Sequence, residues 1–275
     1  MNIIDSQMHI WQANSPEQPW PQGAVSLQGE PFSAEEALAV MDAAGVQRTI
    51  LVPPSWVGIQ NATALAAAHK WPDRFAVIGR FDQTQPNAPA RLEELRRVPG
   101  LLGLRMLLNT PAAMTLIDDP ALSWFWAQCE DSGIPLAFFM PMTAPALAPL
   151  AARYPKLRMI VDHSGRNPRG AKDAAAWEGL DAMLELARFP NIAIKVSSLP
   201  CFSSAPYSFP SLHAPIRAMR DAFGAERLIW GSDKTRLDWP YEDNIRLFTE
   251  GLDFLTATER EWILSKSAMQ WFGWQ

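Results

Sequence analysis

Cysteine is scarce in this chain, with only two residues among 275. Cys129 and Cys201 lie far apart and form no CxxC motif, which excludes a disulfide framework. This usage is typical of a reducing compartment, so we expect a cytoplasmic protein. The first residues lack a basic segment followed by an apolar run, and we therefore expect no signal peptide.

Clusters of positive charge and long apolar runs are also missing. Lysine and arginine form no block and the net charge is −5, so nucleic acid and membranes are not expected partners. The longest apolar stretch, residues 136–152, is interrupted by three prolines and is not a membrane span. No low-complexity linker divides the chain. We expect one domain over residues 1–275 that acts on a small molecule. The protein could also form a homo-oligomer, and the sequence does not decide this.

What the sequence does contain is a regular alternation of apolar strands and helical segments. The eight strand-like runs are residues 2–10, 48–54, 75–81, 101–107, 134–140, 157–163, 191–197 and 227–233. Near-continuous apolar strands between helices predict a parallel sheet covered on both faces. Eight such units at this length predict an α/β fold, the (β/α)8 TIM barrel. The alternative is an open doubly wound sheet, although no GxGxxG motif follows the first strand.

Polar side chains stand at the ends of these strands, where barrel enzymes place their catalytic groups. Asp233 is a candidate general base, or else a helix cap. His9 and His163 are candidate metal ligands or hydrogen-bond donors to a carbonyl oxygen, or else core histidines. Arg105 and Lys195 lie among apolar residues, so each requires an anion, either a nearby carboxylate or the substrate.

The opening strand, "IIDSQMHIW", raises the question of a metal. Asp5, Gln7 and His9 alternate and should share one face of the strand. Many hydrolases bind a metal with two histidines at the spacing of Gln7 and His9, and here the first of them is an amide. The predicted loops carry tryptophans, Trp56 among them, which either wall a planar substrate or anchor the loops.

Five segments together resemble the amidohydrolase superfamily. They are "IIDSQMHIW", "LVPPSW", "GLLGLRM", "IVDHSGR" and "LIWGSD". The similarity is to the amidohydrolase-2 branch, which contains sugar-acid lactonases and 2-pyrone-4,6-dicarboxylate lactonase. It covers nearly the whole chain and implies a distorted (β/α)8 barrel.

The resemblance also implies roles for single residues. Asp233 matches the aspartate that activates the hydrolytic water, His163 the histidine that polarises the scissile carbonyl, and His9 the second histidine of the first-strand motif. Further matches are to positions that contact substrate. With the residues considered above, the expected substrate-binding set is Gln7, Ser55, Trp56, Arg105, Arg166 and Lys195.

The departures from the family pattern concern the metal. Gln7 replaces a histidine, and no lysine at the end of strand 4 or 5 can bridge two ions. We favour hydrolysis without a cofactor, in which Gln7 donates a hydrogen bond to a carbonyl oxygen. The alternative is one divalent metal such as Zn²⁺ held by His9, His163 and Asp233. The loop after strand 7 lacks a basic residue for a second carboxylate, so a pyrone dicarboxylate is not the expected substrate.

The predicted function is hydrolysis of a lactone or related ester of a small, acidic or planar organic substrate by water that Asp233 activates. One alternative is a metal-dependent decarboxylase of an aromatic or unsaturated acid, which the amide at position 7 disfavours. A second is a non-catalytic binding protein on the same scaffold. The lost ligand favours that reading, and the retained Asp233 and His163 count against it.

Overall fold

Eight parallel strands follow one another in chain order around one sheet in residues 2–275, the part of the chain that the computed structural model describes. The strands are β1 (Ile4–Met8), β2 (Arg48–Leu51), β3 (Phe75–Gly79), β4 (Leu101–Leu107), β5 (Leu136–Phe139), β6 (Met159–Val161), β7 (Ile192–Ser197) and β8 (Leu228–Gly231). All eight predicted strands are present. Most are shorter than predicted, because the polar residues at their ends turn into loops.

Helices connect the strands and cover the outside of the sheet. The α-helices of residues 2–275 are α1 (Ala34–Ala44), α2 (Ala62–Lys70), α3 (Ala88–Leu95), α4 (Pro111–Met114), α5 (Ser123–Ser132), α6 (Ala148–Arg153), α7 (Asp173–Ala176), α8 (Leu180–Leu184), α9 (His213–Phe223), α10 (Tyr241–Arg246), α11 (Ala257–Glu261) and α12 (Ser267–Phe272). Helix α1 shows the local cause most clearly, because Ser33 and Glu36 form a capping box and Gly45 ends the helix at φ 70°. None of the helices in the described part of the chain has the length and hydrophobicity that a bilayer crossing requires.

The last strand returns to the first and closes the barrel. The Asp233 N–H donates to the Gln7 carbonyl at 2.7 Å, and the Ser6 hydroxyl donates to the Trp230 carbonyl at 2.6 Å. Gly231 permits this approach, since a Cβ there would lie 2.8 Å from the Gln7 Cβ. The predicted (β/α)8 barrel is therefore confirmed, and the open doubly wound sheet is wrong.

The amino-terminal end of the barrel is filled by apolar side chains. Ile50, Ile160 and Ile229 point inward from three strands and pack with Trp271 and Phe272 of the carboxy-terminal helix α12. This plug removes a large apolar area from water, at about 25 cal/mol per Å². It leaves the opposite end, where the carboxyl ends of the strands lie, as the place where the barrel opens to solvent.

Candidate active site

A cavity of about 250 Å³ opens at the carboxyl ends of the strands. Its polar and aromatic lining consists of His9, Ser55, Trp56, Arg105, Asn109, Phe139, His163, Asn167, Arg169 and Arg236. Five residues of the predicted site (His9, Ser55, Trp56, Arg105 and His163) are thus brought together around one space from four places in the chain, namely β1, β2, β4 and β6 or the segments that follow them.

Left-handed bends follow directly after the last three strands. His163, Ser198 and Asp233 have φ angles of 51°, 57° and 57° and lie within two residues of the ends of β6, β7 and β8. A positive φ in a residue other than glycine costs on the order of 1 kcal/mol, so other contacts must stabilise each bend. Here the Ser198 hydroxyl lies 2.8 Å from His163 Nδ1 and donates to Asp233 Oδ2 at 2.7 Å. The bends therefore bring the three strand ends into one hydrogen-bonded group.

His9 and Asp233 face each other at the base of this group. His9 Nδ1 donates to the Val52 carbonyl at 2.5 Å, which leaves Nε2 to face Asp233 Oδ1 at 3.3 Å. Asp233 Oδ1 is buried and has no hydrogen-bond partner among residues 2–275. Burial alone would raise the pKa of Asp233, but the Arg236 guanidinium, whose Nε lies 2.7 Å from Oδ2, holds that pKa well below its ordinary value. Asp233 is therefore an ionised carboxylate with one free oxygen.

Arg105 determines the protonation of His163. Arg105 Nη2 lies 3.2 Å from His163 Nε2, and a guanidinium can only donate, so Nε2 is the acceptor. The proton is then on Nδ1, which contacts the hydroxyls of Ser197 and Ser198 at 2.9 and 2.8 Å. Burial lowers the pKa of His163 to about 3, in agreement with a neutral ring. His163 keeps no N–H for the cavity, whereas the Arg105 guanidinium lines it.

Beneath the cavity lies a buried ion cluster. Lys195 Nζ lies 3.1 Å from Asp162 Oδ1 and donates to Gln7 Oε1 at 3.0 Å, and Arg105 Nε donates to Asp162 Oδ2 at 2.6 Å. Burial would raise the pKa of Asp162, but Lys195 and Arg105 hold it well below its ordinary value. Lys195 and Gln7 are fully buried and do not line the cavity. The sequence leaves open whether Lys195 pairs with a carboxylate or with the substrate. The structure shows that it pairs with the Asp162 carboxylate. Gln7 Nε2 lies 3.5 Å from His9 Nε2.

The comparison with protein families matches residues 4–274 to the amidohydrolase model. The chain belongs to this family. A curated L-fucono-1,5-lactonase of Burkholderia ambifaria is 33% identical over 242 residues, which are 86% of this chain and 80% of that protein. The predicted membership of the amidohydrolase superfamily is thus confirmed.

Solved structures also share the fold of this amidohydrolase. A probable 2-pyrone-4,6-dicarboxylic acid hydrolase of Acinetobacter baumannii, with citric acid bound, has a TM-score of 0.82 at 23% identity and full coverage of both chains. An amidohydrolase of Burkholderia multivorans with bound zinc has a TM-score of 0.82 at 22% identity and 99% coverage of both chains. At this identity the two structures support the barrel fold of the amidohydrolase and carry no statement about its ligands.

Arg166 does not reach the cavity of this amidohydrolase. Its Nη1 donates to the Glu178 carbonyl at 2.8 Å, and its guanidinium lies over the Trp177 ring, 5.8 Å from the centroid. The side chain is buried behind the turn that follows β6 and is absent from the cavity wall. Our expectation that Arg166 binds substrate therefore finds no support in this geometry.

The predicted alternation along β1 is wrong at Asp5. The pairing of β1 with β2 shifts register between Asp5 and Met8, so Asp5 faces outward instead of sharing a face with Gln7. Its carboxylate accepts hydrogen bonds from the Ser232 N–H and the Tyr241 hydroxyl, both at 2.8 Å. Asp5 therefore joins β1 to the segment after β8 and cannot serve as a ligand in the cavity.

Two arginines that the sequence interpretation omitted do line the cavity. Arg169 follows Arg166 by three residues, and Arg236 follows Asp233 by three residues in a short 3-10 turn. Arg236 could have been found from the sequence, because it lies three residues after the strand-end Asp233. Nothing in the local sequence indicates that Arg169 rather than Arg166 lines the cavity. With Arg105, these side chains give the cavity three guanidinium groups, which is the chemistry that carboxylates prefer.

The donor set does not fit a zinc ion. A catalytic zinc requires three protein ligands, and only His9 Nε2 and Asp233 Oδ1 converge here. The third expected ligand, His163, directs its free ring nitrogen at the Arg105 guanidinium, a cation that would repel the metal. Among residues 2–275, no group of three His, Cys, Asp or Glu side chains is placed to hold a metal.

Proposed function

We propose that this amidohydrolase is a lactonase that opens the ring of a small acidic lactone with water. The observation that carries the proposal is the free oxygen of Asp233, which faces His9 Nε2 at 3.3 Å beside a cavity that Arg105, Arg169 and Arg236 line. The sequence similarity to an L-fucono-1,5-lactonase supports the reaction type.

The proton chemistry uses Asp233 and His9 as a pair. A water molecule in the cavity donates a hydrogen bond toward Asp233 Oδ1 and His9 Nε2 and attacks the lactone carbonyl. Because Arg236 keeps Asp233 ionised, its pKa is too low for it to hold the proton alone. The neighbouring His9 nitrogen takes the proton, and its Nδ1–H remains on the Val52 carbonyl, which stabilises the resulting imidazolium. The same proton then passes to the leaving alkoxide.

The negative charge that develops on the carbonyl oxygen is stabilised by Arg105. Its guanidinium is preorganised by Asp162 on one side and by His163 Nε2 on the other, so little reorganisation is needed when the oxyanion forms. His163 acts in this scheme by orienting Arg105. Lys195 donates a hydrogen bond to the Gln7 side-chain oxygen, and Gln7 Nε2 lies against His9 Nε2. Gln7 therefore fixes the position of the His9 ring.

The acidic group of the substrate is bound at the mouth of the cavity. Arg169 and Arg236 supply the positive charge, Ser55 supplies a hydroxyl, and Trp56 supplies an apolar wall. The site thus favours a carboxylated lactone over a neutral one. Our expectation that a basic residue for a second carboxylate is lacking concerned only the loop after β7, and Arg169 and Arg236 come instead from the loops after β6 and β8.

The two alternative functions are less well supported by the geometry. A metal-dependent decarboxylase needs a ligand set that the turn of His163 toward Arg105 disrupts. A non-catalytic binding protein would not need an ionised carboxylate with a free oxygen beside a histidine nitrogen, and here Asp233 Oδ1 and His9 Nε2 form that pair. We further propose that the reaction proceeds without a metal.

A hydrolysis assay with a pH indicator tests the proposal. We expect acid release from carboxylated lactones, at rates that a chelator such as EDTA does not change. A neutral aldonolactone with the same ring serves as the matched substrate and should show a higher KM. If no lactone in the panel is opened, the proposed function is wrong. If EDTA abolishes turnover and zinc restores it, the metal-free mechanism is wrong while the lactonase assignment stands.

Replacing Arg236 should change the pH dependence of the reaction. Arg236 holds the pKa of Asp233 down, so Arg236→Met raises it, and the carboxylate becomes protonated at higher pH. Activity needs the ionised form, and the acid limb of the kcat/KM profile should therefore move up by roughly one pH unit. Arg169→Met is the matched control, because it lines the same cavity and does not contact Asp233 Oδ2. Arg169→Met should raise KM and leave the acid limb of the kcat/KM profile at the wild-type pH. If the acid limb lies at the same pH in the wild type, Arg236→Met and Arg169→Met, Arg236 does not control the pKa of Asp233.

A further inference from the structure

A second cavity, of about 190 Å³, lies on the other side of Arg105. Its wall includes Arg80, Phe81, Gln83, Arg105, Leu107 and Leu116, so it shares Arg105 and Leu107 with the first cavity. The two spaces are neighbours at the carboxyl ends of the strands, and nothing in the lactonase scheme uses the second one.

Arg80 enters this second cavity from a fixed position at the end of β3. Its N–H donates to the Asn61 side-chain oxygen at 2.7 Å, and the Asn61 amide donates to its carbonyl at 2.8 Å. The guanidinium, by contrast, has no counterion, because no ion pair within residues 2–275 includes Arg80. Its Nη1 is buried without any hydrogen-bond partner in that range. The residue as a whole is half-buried, but a buried guanidinium nitrogen with neither an anion nor a hydrogen-bond acceptor is costly.

The charges around Arg80 make an anion more favourable still. Asp162 is shared between Arg105 and Lys195, so one carboxylate already balances two cations. Asp82 lies in the wall of the second cavity, but its oxygens accept hydrogen bonds from its own loop, namely from the residues 84 and 85 at 2.6–3.0 Å. Burial, together with repulsion from Arg105, lowers the pKa of Arg80 to about 10. Within residues 2–275, the positive charge of Arg80 therefore has no ion-pair partner.

We propose that Arg80 and Arg105 form a second anion-binding subsite, the Arg80 subsite, for a carboxylate, sulfate or phosphate group. Two guanidiniums beside a space of this size match the planar or tetrahedral oxygens of such a group. The group is either the distal acid of an extended substrate that bridges both cavities or a free inorganic anion. The subsite itself does not depend on the lactonase reaction, because it can be tested by binding alone.

Isothermal titration of the wild-type protein and the Arg80→Met variant with sodium sulfate tests the subsite. Chloride keeps the ionic strength equal throughout. We expect the variant to bind one sulfate fewer than the wild type, and Arg80→Lys to keep that sulfate with about ten-fold weaker affinity because it loses the fork geometry. Equal stoichiometry in the wild type and Arg80→Met would overturn the proposal.

A stability measurement controls for misfolding. Because Arg80 is unpaired and is repelled by Arg105, Arg80→Met should unfold at the same temperature as the wild type or higher when no sulfate is present. The wild type should gain about 3 °C in saturating sulfate, and the variant should lose that gain. Arg188→Met, which removes an exposed arginine ahead of β7, should respond like the wild type. A full sulfate response in Arg80→Met would contradict the subsite.

Kinetics then separate the two sources of the anion. If the distal acid of the substrate occupies the subsite, Arg80→Met raises KM at least ten-fold for lactones with two carboxylates and leaves KM unchanged for those with one. If a free anion occupies it, both KM values stay unchanged while the sulfate is lost. Both results support the Arg80 subsite. If the wild type opens no lactone and Arg80→Met still binds one sulfate fewer than the wild type, the proposed function is wrong and the Arg80 subsite stands.

Discussion

Asp233→Asn should lower kcat about 10³-fold with little change in KM, because it removes the carboxylate that orients the attacking water and stabilises protonated His9, and it leaves the cavity lining intact. The amide keeps the shape of the carboxylate and can still accept from the Ser198 hydroxyl and Arg236. Its nitrogen, however, would face His9 Nε2 as a donor where Asp233 Oδ1 offers a lone pair. The pH-indicator assay on the best carboxylated lactone measures the loss.

Two comparisons make this expectation specific to the reaction. Asp119→Asn changes a half-buried carboxylate that caps a short 3-10 turn and is absent from the cavity wall, and it should keep full activity. Thermal unfolding of Asp233→Asn, followed by circular dichroism, should be cooperative, which excludes a collapsed site. If Asp233→Asn retains more than a tenth of the wild-type kcat, the Asp233 carboxylate is not needed for the proton transfer and His9 would act alone.

Lys195→Met should destabilise the protein by about 3 kcal/mol, since it leaves the buried Asp162 with Arg105 as its only counterion. Asp162 is held ionised by both cations, and its pKa lies far below the ordinary value, so the carboxylate cannot take up a proton cheaply when one cation is lost. The change also frees the Gln7 side-chain oxygen, which then lacks its buried donor. Urea denaturation of the wild type and the variant at neutral pH measures the difference in the free energy of unfolding.

A matched lysine on the surface shows how much of this loss depends on burial. Lys70 pairs with Glu35 at 2.9 Å while both side chains remain mostly exposed, so Lys70→Met should cost less than about 1 kcal/mol. The double variant Lys195→Met with Asp162→Asn should lose more stability than Lys195→Met alone, because it leaves the buried Arg105 guanidinium without its carboxylate. A cost for Lys195→Met as small as that for Lys70→Met would contradict a stabilising role for the cluster.

The ion cluster and the bends place fixed positive charge close to His9 and Asp233. The Lys195 ammonium lies inside the barrel and holds Gln7, and Gln7 lies below His9. Arg105 faces His163 and the cavity with a second fixed positive charge. In the proposed mechanism these two cations polarise the site.

The sequence by itself determines the barrel, because the apolar strand period and the helical segments between strands are local patterns. It predicts all eight strands, and it places Asp233, His163, Arg105 and His9 at the strand ends that surround the cavity. The hydrolase family follows from the same segments, and the family comparison confirms it. The catalytic and substrate-binding roles of single residues stay predictions that the experiments above address.

Only the tertiary structure decides which partner each charged side chain takes. The bulge in β1 turns Asp5 away from Gln7, a feature that strand periodicity does not contain. The cavity wall includes Arg169, while Arg166, three residues earlier, is buried behind it. Lys195 forms an ion pair with the Asp162 carboxylate and does not line the cavity. Each of these outcomes depends on distances between residues that are far apart in the chain. Because charge interactions in a buried site are strong, a difference of a few ångströms decides whether a cation forms an ion pair or stays unpaired.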